Sequence, residues 1–330
     1  MKTGSALVLF LSGLFFPWTG HPASLIEEAE REGKVVFYTA SSVADANALK
    51  AAFERRHPGV KVDYFRAGKD RLLSKFLTEA RGGSYLADVY QSSIFPIMTL
   101  RHKGLLTPYS SPEREAYRET FKDKEGYWTA AYLNALTIAY NSRLLKPEEV
   151  PKVYRDLLLP RWKGRMGLDL NKTEWYVAML QMMGEEKGKK YMEALSRQEI
   201  QAREGNTLLA NLLVAGEFPL VVSLYPTSVE ELKKRGAPID WVALEPHFVY
   251  PIAVAATAKS PHPAAGRLFI DFVLSREGQL LIRGLSRIPA RKDVLPEPPR
   301  LIQGQKLLVV HPASSEDYQR FNNEYHSYFR

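Results

Sequence analysis

The sequence predicts an α/β protein built as two lobes. Three observations carry that prediction. Short β-rich runs alternate with amphipathic helices along the chain. Polar loops stand where strands give way to helices. Residues 24–330 are enough chain for two hydrophobic cores. No fixed-period repeat or low-complexity tract interrupts the pattern.

The chain opens with Lys2, an apolar run from Ala6 to Phe16, and a small-residue exit at His21-Pro22-Ala23. That three-part order predicts a cleavable secretory signal peptide over residues 1–23. The run is too short to span a bilayer, which needs about 20 helical residues. Cysteine is absent, which excludes a disulfide scaffold, a thiolate zinc site, a cysteine nucleophile and a lipid-modified cysteine. A secreted protein without a lipid anchor is retained only by a second membrane, so a periplasmic location is expected. The net charge is +8. The basic clusters Lys187–Lys190 and Lys233–Arg235 fall in helix-like segments and read as solvated faces. A monomer is expected, with no nucleic-acid partner.

Taken in order, Val35-Val-Phe-Tyr38 predicts a first buried strand, followed by a small, polar loop from Thr39 to Asp45. Ala48, Leu49, Ala52 and Phe53 recur at helical spacing until His57-Pro-Gly59 ends the helix. Val60 to Tyr64 alternates as a second strand. Leu72, Leu73, Phe76, Leu77 and Ala80 mark a helix that Arg81-Gly-Gly83 closes. Ala87 to Tyr90 is a third strand running into Gln91-Ser-Ser93. This βαβαβ unit leaves polar loops at its strand ends, where open α/β sheets bind ligands.

The second half repeats the grammar. Strands are predicted at Ala135–Tyr140, Arg165–Leu170, Pro219–Leu224, Trp241–Leu244 and Ile252–Ala256. A proline-punctuated link runs from Pro147 to Pro160. Helices are predicted over Trp175–Met183 and Gly188–Leu195, after Asn206 as a cap, and on the apolar face from Ala264 to Val273. A last helix carries Tyr318, Phe321 and Tyr325.

Enzyme motifs are missing: there is no Gly-x-Ser-x-Gly elbow, Walker loop or His-Glu-x-x-His, and the seven histidines never fall at ligand spacing on one helix. Four polar strand-to-helix junctions remain: Ser41-Ser42, Ser92-Ser93, Asn206-Thr207 and Tyr225-Pro-Thr-Ser228. Each alone fits a routine helix cap. Together, split over two α/β halves, they fit a ligand held in a cleft between domains by hydroxyls and helix N–H groups. Trp175 and Trp128 are candidate cleft walls, and Arg203 is a candidate anion clamp.

Several strings resemble the periplasmic substrate-binding proteins of ABC importers, in the ferric-iron-binding branch of the type II fold. They are Phe53 to Val62, Ala87-Asp-Val89, Asn134 to Asn141, Asp156 to Gly164, Ala215-Gly-Glu-Phe-Pro219 and Phe269 to Gln279. The resemblance implies two mixed-sheet α/β lobes joined by hinge strands, closing on a ligand that is delivered to the permease subunits. It places residues 24–133 with 254–295 in the first lobe, and 134–253 with 296–330 in the second. Ferric-binding members typically offer two adjacent tyrosines after the strand that is Leu220–Leu224 here, often with a histidine in the first loop. This chain has Tyr225-Pro226 and Ser41-Ser42 instead. The expected ligand is therefore a small anion such as a phosphonate or organophosphate, and no cofactor is expected. The alternative is ferric iron carried with a synergistic anion, with Tyr225 as a metal ligand. A periplasmic hydrolase of anionic esters is a third reading.

Overall fold

The structure is a computed structural model, described for residues 24–310 and 315–329. The expected signal peptide lies outside the described residues. Twelve strands form one continuous sheet: β1 (Lys34–Thr39), β2 (Lys61–Arg66), β3 (Val89–Ser93), β4 (Leu106–Thr107), β5 (Thr129–Asn141), β6 (Met166–Asp169), β7 (Gln201–Arg203), β8 (Leu220–Leu224), β9 (Ile239–Val242), β10 (His247–Thr257), β11 (Ile288–Pro289) and β12 (Leu307–Val309). The main path runs β2-β1-β3-β10-β5-β8-β6-β7.

The predicted βαβαβ unit is present as the parallel strands β2-β1-β3, and the second half is the parallel set β8-β6-β7. Between them, β5 and β10 pair antiparallel. Strand β5 joins the halves: Thr129–Leu136 pair with β10, whereas Thr137–Asn141 pair with β8 and β9. Only Ala135–Tyr140 was legible as strand. Its N-terminal part carries Thr, Ala, Tyr and Asn rather than a β-branched run, and pairing with β10 makes it a strand.

One continuous hydrophobic core runs through both halves. In the first, Phe37 and Phe53 meet Phe269 of helix Pro263–Leu274, with ring centroids 4.9 and 5.1 Å apart. In the second, Tyr154 stacks on Phe248 at 4.9 Å. Gly278, in one of the family-like strings, opens the helix Arg276–Gly284 against the previous one, and a Cβ there would lie 2.1 Å from the Phe272 carbonyl oxygen.

The last helix, Ser315–Phe329, forms as expected and touches both halves. Tyr176 meets Phe321 and Tyr325 at 6.0 Å each, which is the expected docking on the second half. Tyr318 also packs on Phe95 of the first-half helix Ile94–His102, at 4.7 Å. The helix therefore straddles both halves, because its aromatic residues face two directions.

Candidate ligand-binding cleft

The crossing strands lay the floor of a cavity of about 460 Å³. Side chains alternate along a strand, so Tyr132 and Asn134 of β5 share a face, as do Tyr250 and Ile252 of β10. The register sets Tyr132 and Ser93 on either side of Ile252, and Asn134 opposite Tyr250. All five residues line the cavity.

The walls are helix N-termini. Ser42, Gly68, Ser93, Lys172, Gly205 and Tyr225 all line the cavity, and each is the N-cap of a helix. Only Ser42 makes a side-chain cap, its Oγ accepting from Asp45 N at 3.1 Å. The other five helices have no side-chain cap, so first-turn N–H groups are left for a ligand or solvent.

Most charge in the lining is paired. Arg287 grips Asp45 through Nε and Nη2, at 3.1 and 3.3 Å. Lys69 Nζ lies 2.9 Å from Glu174 Oε1, and Lys172 Nζ lies 3.2 Å from Asp169 Oδ2. Arg71 lines the cavity, is exposed and has no ion-pair partner among the described residues. Burial works against the charge on Lys69, but Glu174 and Tyr318 outweigh it and its pKa rises. Burial likewise opposes charge on Lys172, where Tyr225 and Asp169 prevail. Lys172 Nζ sits 3.6 Å from the centre of the Tyr225 ring.

The phenols form a second layer. The Tyr225 and Tyr250 hydroxyls are 2.7 Å apart, and Asn134 Nδ2 donates to Tyr250 Oη at 3.1 Å. Ser41 Oγ lies 3.0 Å from Tyr132 Oη and donates to Gln91 Oε1 at 3.0 Å. Burial pushes Tyr132 up to about 12, and it raises Tyr250 well above the usual phenol range. Both therefore stay protonated as donors.

Of the expected residues, Ser41, Ser42, Ser93, Asn206 and Tyr225 line the cavity. Asn206 differs in role. It does not cap its helix; its Oδ1 accepts from Tyr225 N and its Nδ2 donates to Ser228 Oγ, both at 3.0 Å. It fixes the backbone that presents Tyr225.

Five expected residues lie outside the cavity. Ser92 is turned to the opposite face of β3 by strand alternation. Trp175 is 1 % exposed and packs edge-on to Tyr325 inside the core, and Trp128 is likewise buried away from the cleft. Arg203 turns back on its own strand, donating to the Ala202 carbonyl at 2.8 Å and to Gln201 Oε1. Thr207 stands on the outer surface of its helix. Sequence reasoning missed Tyr132, Asn134, Tyr250, Lys172 and Arg287. Alternation puts Tyr132 and Asn134 on one face only once β5 is known to be a strand there, and pairing with β10 supplies that; Arg287 likewise arrives through tertiary structure.

A polar cavity on crossing strands between two half-sheets, ringed by helix N-termini, is the site of a two-lobed solute-binding protein. Among the described residues no group of three or more His, Cys, Asp or Glu could hold a metal ion, and no helix is long and apolar enough to cross a membrane. The chain belongs to the bacterial extracellular solute-binding protein family, whose model matches residues 87–313. Similar curated proteins include an uncharacterized protein of Haemophilus influenzae, 26 % identical over 268 residues, covering 77 % of this chain and 76 % of that one. Another is the Fe(3+)-binding periplasmic protein of Serratia marcescens, 23 % identical over 236 residues, covering 68 % and 69 %. Similar solved structures include the periplasmic binding protein AfuA of Actinobacillus pleuropneumoniae with fructose-6-phosphate bound (TM-score 0.78, 23 % identity, 90 % of this chain and 98 % of that one). The ferric binding protein of Campylobacter jejuni aligns with TM-score 0.79 at 20 % identity, covering 90 % of this chain and all of that one. At these identities the structural likeness establishes the fold, the two-lobed type II arrangement.

Proposed function

We propose that this chain is the periplasmic receptor of an ABC-type importer, capturing a small organic anion in the cleft and presenting it to the permease. One observation carries the reading: five helix N-termini without side-chain caps converge on a cavity of about 460 Å³. That volume suits a small organic molecule, and the N–H groups suit a phosphate or phosphonate head, with Arg71 as the unpaired cation. Residues 24–133 with 254–295 would close against 134–253 with 296–330, using β5 and β10 as the hinge. Binding without turnover is the expected activity. Ser41 Oγ is engaged by Gln91 and Tyr132, and among the described residues no histidine lines the cavity to serve as its base.

Ferric iron with a synergistic anion is the second reading, favoured by the 2.7 Å pair of Tyr225 and Tyr250 hydroxyls. Against it, iron needs phenolates, and burial raises the pKa of Tyr250 and of Tyr132. A thermal-shift panel separates the two. Sugar phosphates, phosphonates, inorganic phosphate and sulfonates are compared with ferric citrate plus bicarbonate. At a hundredfold excess over Kd a ligand adds about 2.7 kcal/mol, a shift on the order of 5 °C for a chain of this size. A shift with iron alone would overturn the anion reading, and steady ester turnover would overturn the receptor reading.

A further inference from the structure

The segment Lys152–Arg165 joins the second-lobe strands as a series of 3-10 turns and contains a surface that the cleft does not use. Its inward side chains, Tyr154, Leu157 and Trp162, are buried. Tyr191 Oη and Gln198 Nε2 donate to the carbonyls of Tyr154 and Leu158 at 2.7 and 3.1 Å, holding the segment to the lobe. Its outward side chains are mainly cationic or apolar. Lys152, Arg155, Arg161, Lys163 and Arg165 are all exposed. Val153 and Leu159 stand among them, 52 % and 41 % exposed.

The cations form a cluster. The guanidinium carbons of Arg161 and Arg165 lie 5.0 and 6.0 Å from the same Trp162 ring, and Lys163 stands between them in the chain. Acidic compensation is slight. Asp156 is the segment's one carboxylate, and its Oδ2 accepts from Lys152 N and Val153 N at 2.8 and 3.2 Å. Glu199 pairs with Lys163 at 3.0 Å, but both are exposed. Lys152, Arg155, Arg161 and Arg165 have no ion-pair partner among the described residues.

We infer that this patch holds the receptor against an anionic phospholipid surface. Arginine forks suit lipid phosphates, the positive field draws the protein to acidic headgroups within a Debye length, and Val153 and Leu159 supply apolar contact at the interface. The whole chain carries +8 and has no cysteine for a thioether lipid anchor, so charge is a means of retention that this sequence offers. The patch stands apart from the cleft. Arg165 precedes β6, while Asp169 at the far end of that strand lines the cleft. A membrane touching the patch therefore stands about 13 Å of strand away from the bound solute. The inference does not depend on which solute the cleft takes.

The test is vesicle flotation of the mature protein at low and physiological salt, with vesicles of phosphatidylcholine alone or mixed with phosphatidylglycerol. Binding is expected to the mixed vesicles only and is expected to weaken with salt. The triple variant Arg161→Glu, Lys163→Glu, Arg165→Glu should lose affinity at least about a hundredfold, at about fivefold for each cation lost, with repulsion of the new carboxylates adding to it. A control triple of exposed first-lobe cations, Arg55→Glu, Arg56→Glu, Lys103→Glu, has the same net charge and should keep most of the binding. Both triples should keep the wild-type circular dichroism and the wild-type thermal-shift response to cleft ligands. Equal loss in the two triples would overturn the patch in favour of overall charge. No binding to mixed vesicles, or binding through this patch only to an acidic protein, would overturn the lipid assignment.

Discussion

Lys69 Nζ lies 2.9 Å from Glu174 Oε1, and this ion pair ties the first-lobe helix Lys69–Arg81 to the second-lobe helix Thr173–Met183 beside the cleft. The Glu174 side chain is 2 % exposed and that of Lys69 is 19 % exposed. The same ammonium stands 5.4 Å from the ring of Tyr318 on the helix that straddles both lobes. Ion pair, aromatic and straddling helix thus meet at one edge of the cavity.

Removing one partner of that pair leaves a buried charge uncompensated. Lys69→Ala should destabilise the protein by about 3 kcal/mol, read as a lower urea midpoint. It should also raise the radius of gyration of the ligand-free protein in small-angle scattering, as the lobes part. An unchanged radius with lowered stability would mean that the pair supports the fold without closing the cleft.

Tyr325 Oη donates to the Asp169 carbonyl at 2.7 Å, and Asp169 in turn pairs with Lys172 in the cleft. Tyr325→Phe keeps the ring packing and should cost about 1 kcal/mol. Unfolding by urea with two probes checks the size of the loss and whether the transition stays cooperative.

Arg71 is exposed at the cavity and unpaired, so Arg71→Ala should leave the melting temperature within a degree or so while weakening anion binding about tenfold. Arg287→Ala should weaken binding and also lower stability, since it strands Asp45. Calorimetric titration with the anion found in the thermal-shift panel distinguishes the two. Tyr225→Phe should change anion affinity by less than about threefold and would abolish any tyrosinate colour if iron were the cargo.

His247 carries an acid-sensitivity prediction. It is 1 % exposed, its ring stacks on Trp241 at 6.0 Å, and neither ring nitrogen has a hydrogen-bond partner among the described residues. Burial lowers its pKa from 6.5 to about 4. The folded state therefore holds neutral imidazole, while the unfolded chain binds a proton first as pH falls. Its contribution is intact above about pH 6.5 and is lost progressively down to about pH 4, a total on the order of 3 kcal/mol. His247→Phe should flatten that part of the stability-pH curve measured by urea unfolding.

Local signals were readable wherever one element carried its own pattern. Val35–Tyr38, Leu220–Leu224 and the apolar face from Ala264 to Val273 needed no partner to be recognised, because burial on one face imposes a period. Ser42 was legible as a cap because it bonds only three residues away, to Asp45 N. Arg203 and Trp175 were misplaced for the opposite reason: where a side chain points depends on what packs around it. Trp175 is claimed by Tyr325, 150 positions along the chain.

The sequence by itself determined the α/β class, the βαβαβ order from Val35 to Tyr90, the absence of thiol chemistry and the polar junctions at Ser41, Ser93, Asn206 and Tyr225. These rest on composition and short-range periodicity, which the chain carries locally. Tertiary structure alone decided that Tyr132, Asn134 and Tyr250 form the floor of the cleft, that Lys69 reaches Glu174, and that Arg287 grips Asp45 across 242 positions. The floor is set by the register of β5 and β10, a property of two strands together rather than of either one, and the two ion pairs by how helices and loops pack around them.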